Sequence, residues 1–289
     1  MSTEETSRPA PTILVALANP AHEKDLITLA SAIAHRKRGD VLAIHIVQVP
    51  DQTPLEAGAE HLDRIAAESR ELLAAARADA ETYGVPVTTR NVLSHHSFRS
   101  VFSTARTHDV DLVVMGWSED THLSPGRAER GIDDLTRDLP CDFLVLKGGG
   151  FDASRILVPT AGGPDSELSA EIARLLRAEY GSEITLLHVV DGDEEVERAR
   201  QFLTGWATER RLSSIETRIE TSGDVEDAIR AAASEHTMVI IGATERGLLT
   251  RLLHGSLAFD VVESLEISVL LTERSRERSL RERVFGSGP

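Results

Sequence analysis

The chain has 289 residues, 41% of them hydrophobic and 27% charged, and its 47 acidic and 31 basic residues leave a formal charge of −16. A field of that sign repels nucleic acid and anionic lipid, so neither is expected as a partner. No apolar run approaches the roughly 20 residues that span a bilayer, the acidic start MSTEETSRPAP lacks an apolar signal region, and the single cysteine, Cys141, forms no internal disulfide, so a cytoplasmic protein is expected.

In chain order, short apolar runs alternate with helical patterns. ILVAL (Ile13 to Leu17) reads as a buried strand. Asn19-Pro20 then opens a helix, with proline at its permitted first position, and Leu26, Leu29, Ala30 and Ile33 share one face. IHIV (Ile44 to Val47) is a second strand, followed by an amphipathic helix through Leu62, Ile65, Leu72 and Leu73. VPVTTRNV is the third strand, VVMG (Val113 to Gly116) the fourth and FLVLK (Phe143 to Lys147) the fifth. Between the third and fourth, His95-His96 point opposite ways on an extended segment and cannot chelate one metal together.

The same series then begins again. ILVPT (Ile156 to Thr160) repeats ILVAL and LHVV (Leu187 to Val190) repeats IHIV, both at an offset of 143 residues. Between them Pro164-Asp165 opens a helix with Leu168, Ile172, Leu175 and Leu176 on one face. A further helix runs through Val196, Leu203 and Trp206, and IETRIE is a third strand. VIIG (Val239 to Gly242) matches VVMG, and SVLLT near residue 270 matches FLVLK, now at an offset of 126. Internal similarity of this kind marks two copies of one unit. Apolar strands separated by helices imply a parallel sheet covered on both faces. The expected fold is therefore α/β, with two tandem five-stranded doubly wound, Rossmann-like domains. Residues 1–147 form the first, 148–154 a glycine-rich linker, 155–273 the second and 274–289 a charged tail. The apolar fifth strands would be exposed edges unless they pair, which predicts an internal pseudo-dimer.

Such sheets bind ligands beyond the carboxyl ends of the strands, where the strand order reverses. After the second fourth strand the chain reads GATERGLLTRLLHGS, with Gly242 first and Gly255-Ser256 thirteen residues on. Two units ending in strand, glycine, loop, Gly-Ser, helix and strand resemble the universal stress protein family in tandem, over residues 10 to 147 and 153 to 273. The wording of this loop resembles the transporter-associated stress-protein domains of salt-loving archaea. Nucleotide-binding members of the family carry G-x2-G-x9-G-[ST] at this place, and here Glu245 stands at the second glycine.

The resemblance implies a phosphate cradle at Gly242, Gly255 and Ser256, whose backbone N–H groups and helix N-terminus would favour an anion. Glu245 opposes that charge, while Arg246, Arg251 or a Mg2+ bridging Glu245 to the phosphates would offset it. Thr160 and Val190 would line an adenine slot. Ala161 replaces the aspartate that binding members show after the first strand. ATP or AMP is the implied ligand, with Mg2+ for ATP. A turn and helix cap without any ligand uses the same glycines equally well. In the first copy Gly116 is the one motif glycine, and thirteen residues on stand Glu129-Arg130, so phosphate binding is expected to be lost there.

Other candidates have plainer readings. His45 and His188 are expected to be packed histidines of equivalent strands, and Cys141 a small core residue. No Walker loop, G-x-S-x-G or nucleophile–base spacing is present. The tail reads as a solvated helix face. Lys24, Lys37 and Lys147 are the lysines among 31 basic residues, leaving 28 arginines. Abundant carboxylates with so few lysines suit a salt-rich cytosol, or a GC-rich genome. Two functions follow. The first is a non-catalytic stress-response regulator, binding adenine nucleotide weakly and acting through a partner such as an amino-acid or cation transporter. The alternative is a slow ATPase or another adenine-nucleotide-processing enzyme of the same α/β superfamily. Further association into a homo-oligomer of pseudo-dimers is expected.

Overall fold

Apolar residues at alternate positions of the first strand point to opposite faces of a sheet, and both faces are covered. In the computed structural model, which describes residues 10–18, 20–48, 62–94, 97–116, 139–148, 150–242 and 264–275, Ile13, Val15 and Leu17 enter one apolar cluster and Leu14 another. The first unit comprises β1 (Thr12–Leu17), α1 (Pro20–Lys37), β2 (Asp40–Gln48), α2 (Leu62–Glu81), β3 (Val87–Ser94), α3 (Ser97–Thr107), β4 (Leu112–Gly116) and β5 (Asp142–Lys147). The second comprises β6 (Arg155–Pro159), α4 (Pro164–Tyr180), β7 (Glu183–Val189), α5 (Val196–Glu209), β8 (Glu216–Glu220), α6 (Val225–Ala233), β9 (Met238–Gly242) and β10 (Ser268–Glu273). Leu26, Leu29, Ala30 and Ile33 of α1, and Leu168, Ile172 and Leu176 of α4, are buried on the sheet as their spacing predicts. The opposite face carries Val101, Phe102 and Ala105 of α3 and Ala228, Ile229 and Ala232 of α6.

The described strands form one sheet in the order β3-β2-β1-β4-β5-β10-β9-β6-β7-β8. Neighbours within each unit are parallel. β5 and β10 meet antiparallel, with Leu146 opposite Leu270 and Val145 opposite Leu271. The two fifth strands thus remove each other's open edge, and the pseudo-dimer is one continuous sheet. Among the described residues no helix is long and apolar enough to cross a membrane.

The seam between the units has further ties. The linker, glycine-rich and flexible by composition, is held in place: Ser268 Oγ donates to the Gly150 carbonyl at 2.7 Å, and Phe151 meets Tyr180 edge-on at 5.8 Å. Arg274 and Ser275, placed by sequence in the tail, are packed here. The Ser275 N–H donates to Asp142 Oδ1 at 2.9 Å and its hydroxyl to the Leu139 carbonyl at 2.8 Å. Across the seam α1 lies against α4. Their side chains pair as His35 with Glu179 at 2.9 Å and Lys37 with Glu171 at 2.5 Å, and Tyr83 and Tyr180 share a hydrogen bond of 2.9 Å. Arg274 reaches Glu171 from the other side at 2.7 Å. Burial alone would raise the Glu171 carboxyl, but Lys37 and Arg274 together overcome that and hold it down at about 2.

Candidate functional site

In both units the strand order reverses at the first and fourth strands, so the crevices lie beyond β1/β4 and β6/β9. In the second unit Ile156 pairs with Met238 and Leu157 with Val239, a register that sets Thr160 level with Gly242 at the carboxyl ends. Thr160 is 6% exposed. Its N–H donates to the Leu187 carbonyl at 2.8 Å, and its Oγ accepts the Gly162 N–H at 3.1 Å. Its carbonyl accepts from His188 Nδ1 at 2.7 Å, which fixes the ring and gives this strand histidine a structural task. Its counterpart His45 bonds Ser69 Oγ at 2.7 Å, and Cys141 is buried in the core. Val190 is buried at the end of β7, where its N–H donates to Glu220 and its carbonyl accepts from Gly223. Ala161 is exposed at the mouth.

Between Ala161 and α4 the chain turns through Gly162 and Gly163, with φ of 85° and 88°. Side-chain-bearing residues rarely adopt this left-handed region, which explains a Gly-Gly pair in front of Pro164. Phe202 of α5 covers the turn: its Cζ stands 3.5 Å from where a Cβ on Gly162 would lie, and its ring centroid is 5.1 Å from that of His188. Sequence reasoning missed Phe202. It precedes the core residue Leu203 on an amphipathic helix, and no local pattern marks it as facing the crevice.

Gly242 ends β9 against the start of α4. A Cβ there would stand 2.7 Å from both the Asp165 carbonyl carbon and the Ser166 nitrogen, and 3.0 Å from the Asp165 oxygen. The glycine is therefore required for backbone to meet backbone. The other residues of the expected cradle, Glu245, Arg246, Gly255 and Ser256, lie outside the described residues, as do Asn19, Arg251, His95-His96 and Glu129-Arg130. Among the described residues no group of three or more His, Cys, Asp or Glu is placed to hold a metal ion.

The first unit differs at its crevice. A Cβ on Gly116 would meet only side chains, the nearest being Leu26 Cδ1 at 3.4 Å, an ordinary contact. At the offset of 143, Glu23 occupies the place of Ser166 in the first turn of the helix. Glu23 is 6% exposed and its Oε1 has no hydrogen-bond partner. Burial first, and the Asp79 carboxylate second, push its carboxyl up to about 7 against the pull of Lys24.

A sequence model of the Universal stress protein family matches residues 10–147 and 153–273. No curated protein sequence matches the chain. Among solved structures, a universal stress protein from Archaeoglobus fulgidus DSM 4304 is similar with a TM-score of 0.64 at 14% identity, covering 93% of this chain and 100% of that one. A functionally unknown protein from Pseudomonas aeruginosa PAO1 gives 0.53 at 16% identity, over 96% and 97%. The cytoplasmic domain of a prokaryotic cation chloride cotransporter gives 0.58 at 11% identity, over 91% and 95%. With the family pattern matched in both halves and the tandem fold shared with solved structures, the chain belongs to the universal stress protein family.

Proposed function

We propose that the protein is a non-catalytic regulator of the stress-response type that binds an adenine nucleotide, ATP or AMP, weakly in its second unit and acts in the cytoplasm through a protein partner. The observation that carries this reading is the place where the strand order reverses, at the ends of β6 and β9, where buried Thr160 stands level with Gly242 and Val190 follows the next strand, β7. Two sequence features favour binding over turnover: the stretch from Gly242 to Ser256 has no lysine, and no nucleophile–base spacing is present. Glu23, a carboxyl where the second unit has Ser166, disfavours a phosphate in the first unit. For the partner, the fold shared with a cation chloride cotransporter's cytoplasmic domain supports a membrane transporter of cations, and an amino-acid transporter is the other candidate. The acid-rich, lysine-poor composition supports a salt-rich host.

Glu245 tests the phosphate end. One like-charge pair at about 5 Å and an effective dielectric near 20 costs roughly 3 kcal/mol, or about a hundredfold in affinity. Titration calorimetry with ATP and Mg2+ should show binding tightened up to that limit by Glu245→Gly. Ser256→Ala should weaken it by about 1 kcal/mol, the worth of one hydrogen bond. Nucleotide recovered afterwards should be intact ATP. No binding in wild type and Glu245→Gly alike would overturn the nucleotide reading, and accumulating ADP would replace it with slow hydrolysis.

A further inference from the structure

Beyond this crevice, a cleft of about 450 Å3 opens between α4, the end of α5 and the segment after β10. That volume is within the range of small-ligand sites. Its lining shares no residue with the Thr160–Val190–Gly242 crevice and is almost wholly charged. The carboxylates are already engaged. Glu167 pairs with Arg210 at 2.5 Å, Glu209 with the same arginine at 2.9 Å, and Glu171 with Arg274 and Lys37.

Arg174 and Arg211 also line the cleft, and neither forms an ion pair or hydrogen bond through its side chain among the described residues. The lining's four arginines against three glutamates leave a surplus of one positive charge, on a chain whose total is −16. Arg174 is half-buried and Arg211 exposed, so both guanidinium groups are open to an anion that arrives from solvent. The wall behind them is rigid. Arg210 lies over the Trp206 ring at 4.6 Å, and the Arg274 side chain is 8% exposed. Guanidinium forks match the paired oxygens of phosphate and carboxylate groups.

We propose that this cleft is a binding site for a small dianion of the phosphate or dicarboxylate type, held by Arg174 and Arg211. Because Glu171 in the same cleft is tied to Lys37 of the first unit, an occupant adds to the seam between the two units.

Calorimetry and thermal melting of the full chain would be run with inorganic phosphate and with succinate, at mildly alkaline pH where both are dianions. KCl of matched ionic strength is the control, because screening alone stabilises so acidic a protein. Saturable binding of one dianion per chain is expected, with a rise in Tm beyond that in KCl. Arg174→Gln/Arg211→Gln should weaken it by at least about tenfold, and since neither arginine is paired among the described residues, circular dichroism should show that variant folded. Response to phosphate alone or to succinate alone fixes the class of anion. The same Tm rise in matched KCl, or undiminished binding in the double variant, would overturn the site. Ser256→Ala should leave dianion binding untouched, and the double variant should keep whatever ATP binding the wild type has, so each proposal can fail without the other.

Discussion

A Glu171→Gln variant is expected to lose about 3 kcal/mol of stability at neutral pH, and the loss should shrink in acid. The carboxyl of Glu171 is held at about 2 in the fold against an ordinary 4.5, because Lys37 and Arg274 outweigh the effect of burial. A carboxyl lowered on folding stabilises fully above its unfolded value, and the contribution disappears as pH falls through the folded one. A difference of about 2.5 pH units corresponds to about 3 kcal/mol. The side chain is 28% exposed, which puts the variant at the lower end of the roughly 3–5 kcal/mol cost of breaking a buried pair. Urea unfolding of both proteins at pH 7 and near pH 3 is the measurement, and at the lower pH the gap should narrow to about half. A gap of equal size at both would mean that packing, not charge, was lost.

Gly242→Ala should be nearly as damaging, at about 3 kcal/mol, the upper part of the usual range for overpacking. Its methyl group would have to displace the backbone of Asp165 and Ser166, not the end of a flexible side chain. Moving that turn also disturbs what leans on it: the Asp165 carbonyl accepts from Thr272 Oγ1 at 3.1 Å, and its carboxylate accepts the Arg274 N–H at 2.8 Å. Gly116→Ala, at the matching position of the first unit, meets only Leu26 and His22 side chains and should change stability by less than about 1 kcal/mol. Thermal unfolding of the pair decides between two uses of a family glycine. If Gly242→Ala melts like wild type, the helix start has yielded, and the absence of a side chain there serves a ligand instead of the fold.

The strands, the repeat and the joining of the fifth strands were legible because each follows from hydrophobic pattern. Residues such as Leu14 and Val15 are buried on both sides of the sheet whatever surrounds them, and an apolar edge such as Phe143 to Leu146 needs a partner. Glu171 was not legible. Its partners stand 134 and 103 residues away, and charged residues on one helix face read as solvent-facing until the second unit closes on the first. Arg274 and Ser275 were hidden in the same way, since ERSRERSLRER has the composition of a solvated helix while its first residues are pinned to Asp142 and Glu171. At the crevice, spacing identified Gly242 but not the reason for it. A distance of 2.7 Å to another segment's backbone is a tertiary fact with no local signature.

The antiparallel meeting of β5 and β10 also gives the molecule a direction. All strands of one unit run one way and all strands of the other run the opposite way, so the two crevices open at opposite ends of the sheet. Two identical subunits joined like this would have interchangeable ends. Here one end carries Gly242 over a helix start with Ser166, and the other carries Gly116 with the buried carboxyl of Glu23. Fusing unequal copies therefore turns a symmetric body into one with a front and a back. A small molecule held at one end and a protein docked at the other would not collide, and any influence between them would have to cross the ten strands and the Lys37–Glu171–Arg274 tie that bind the halves.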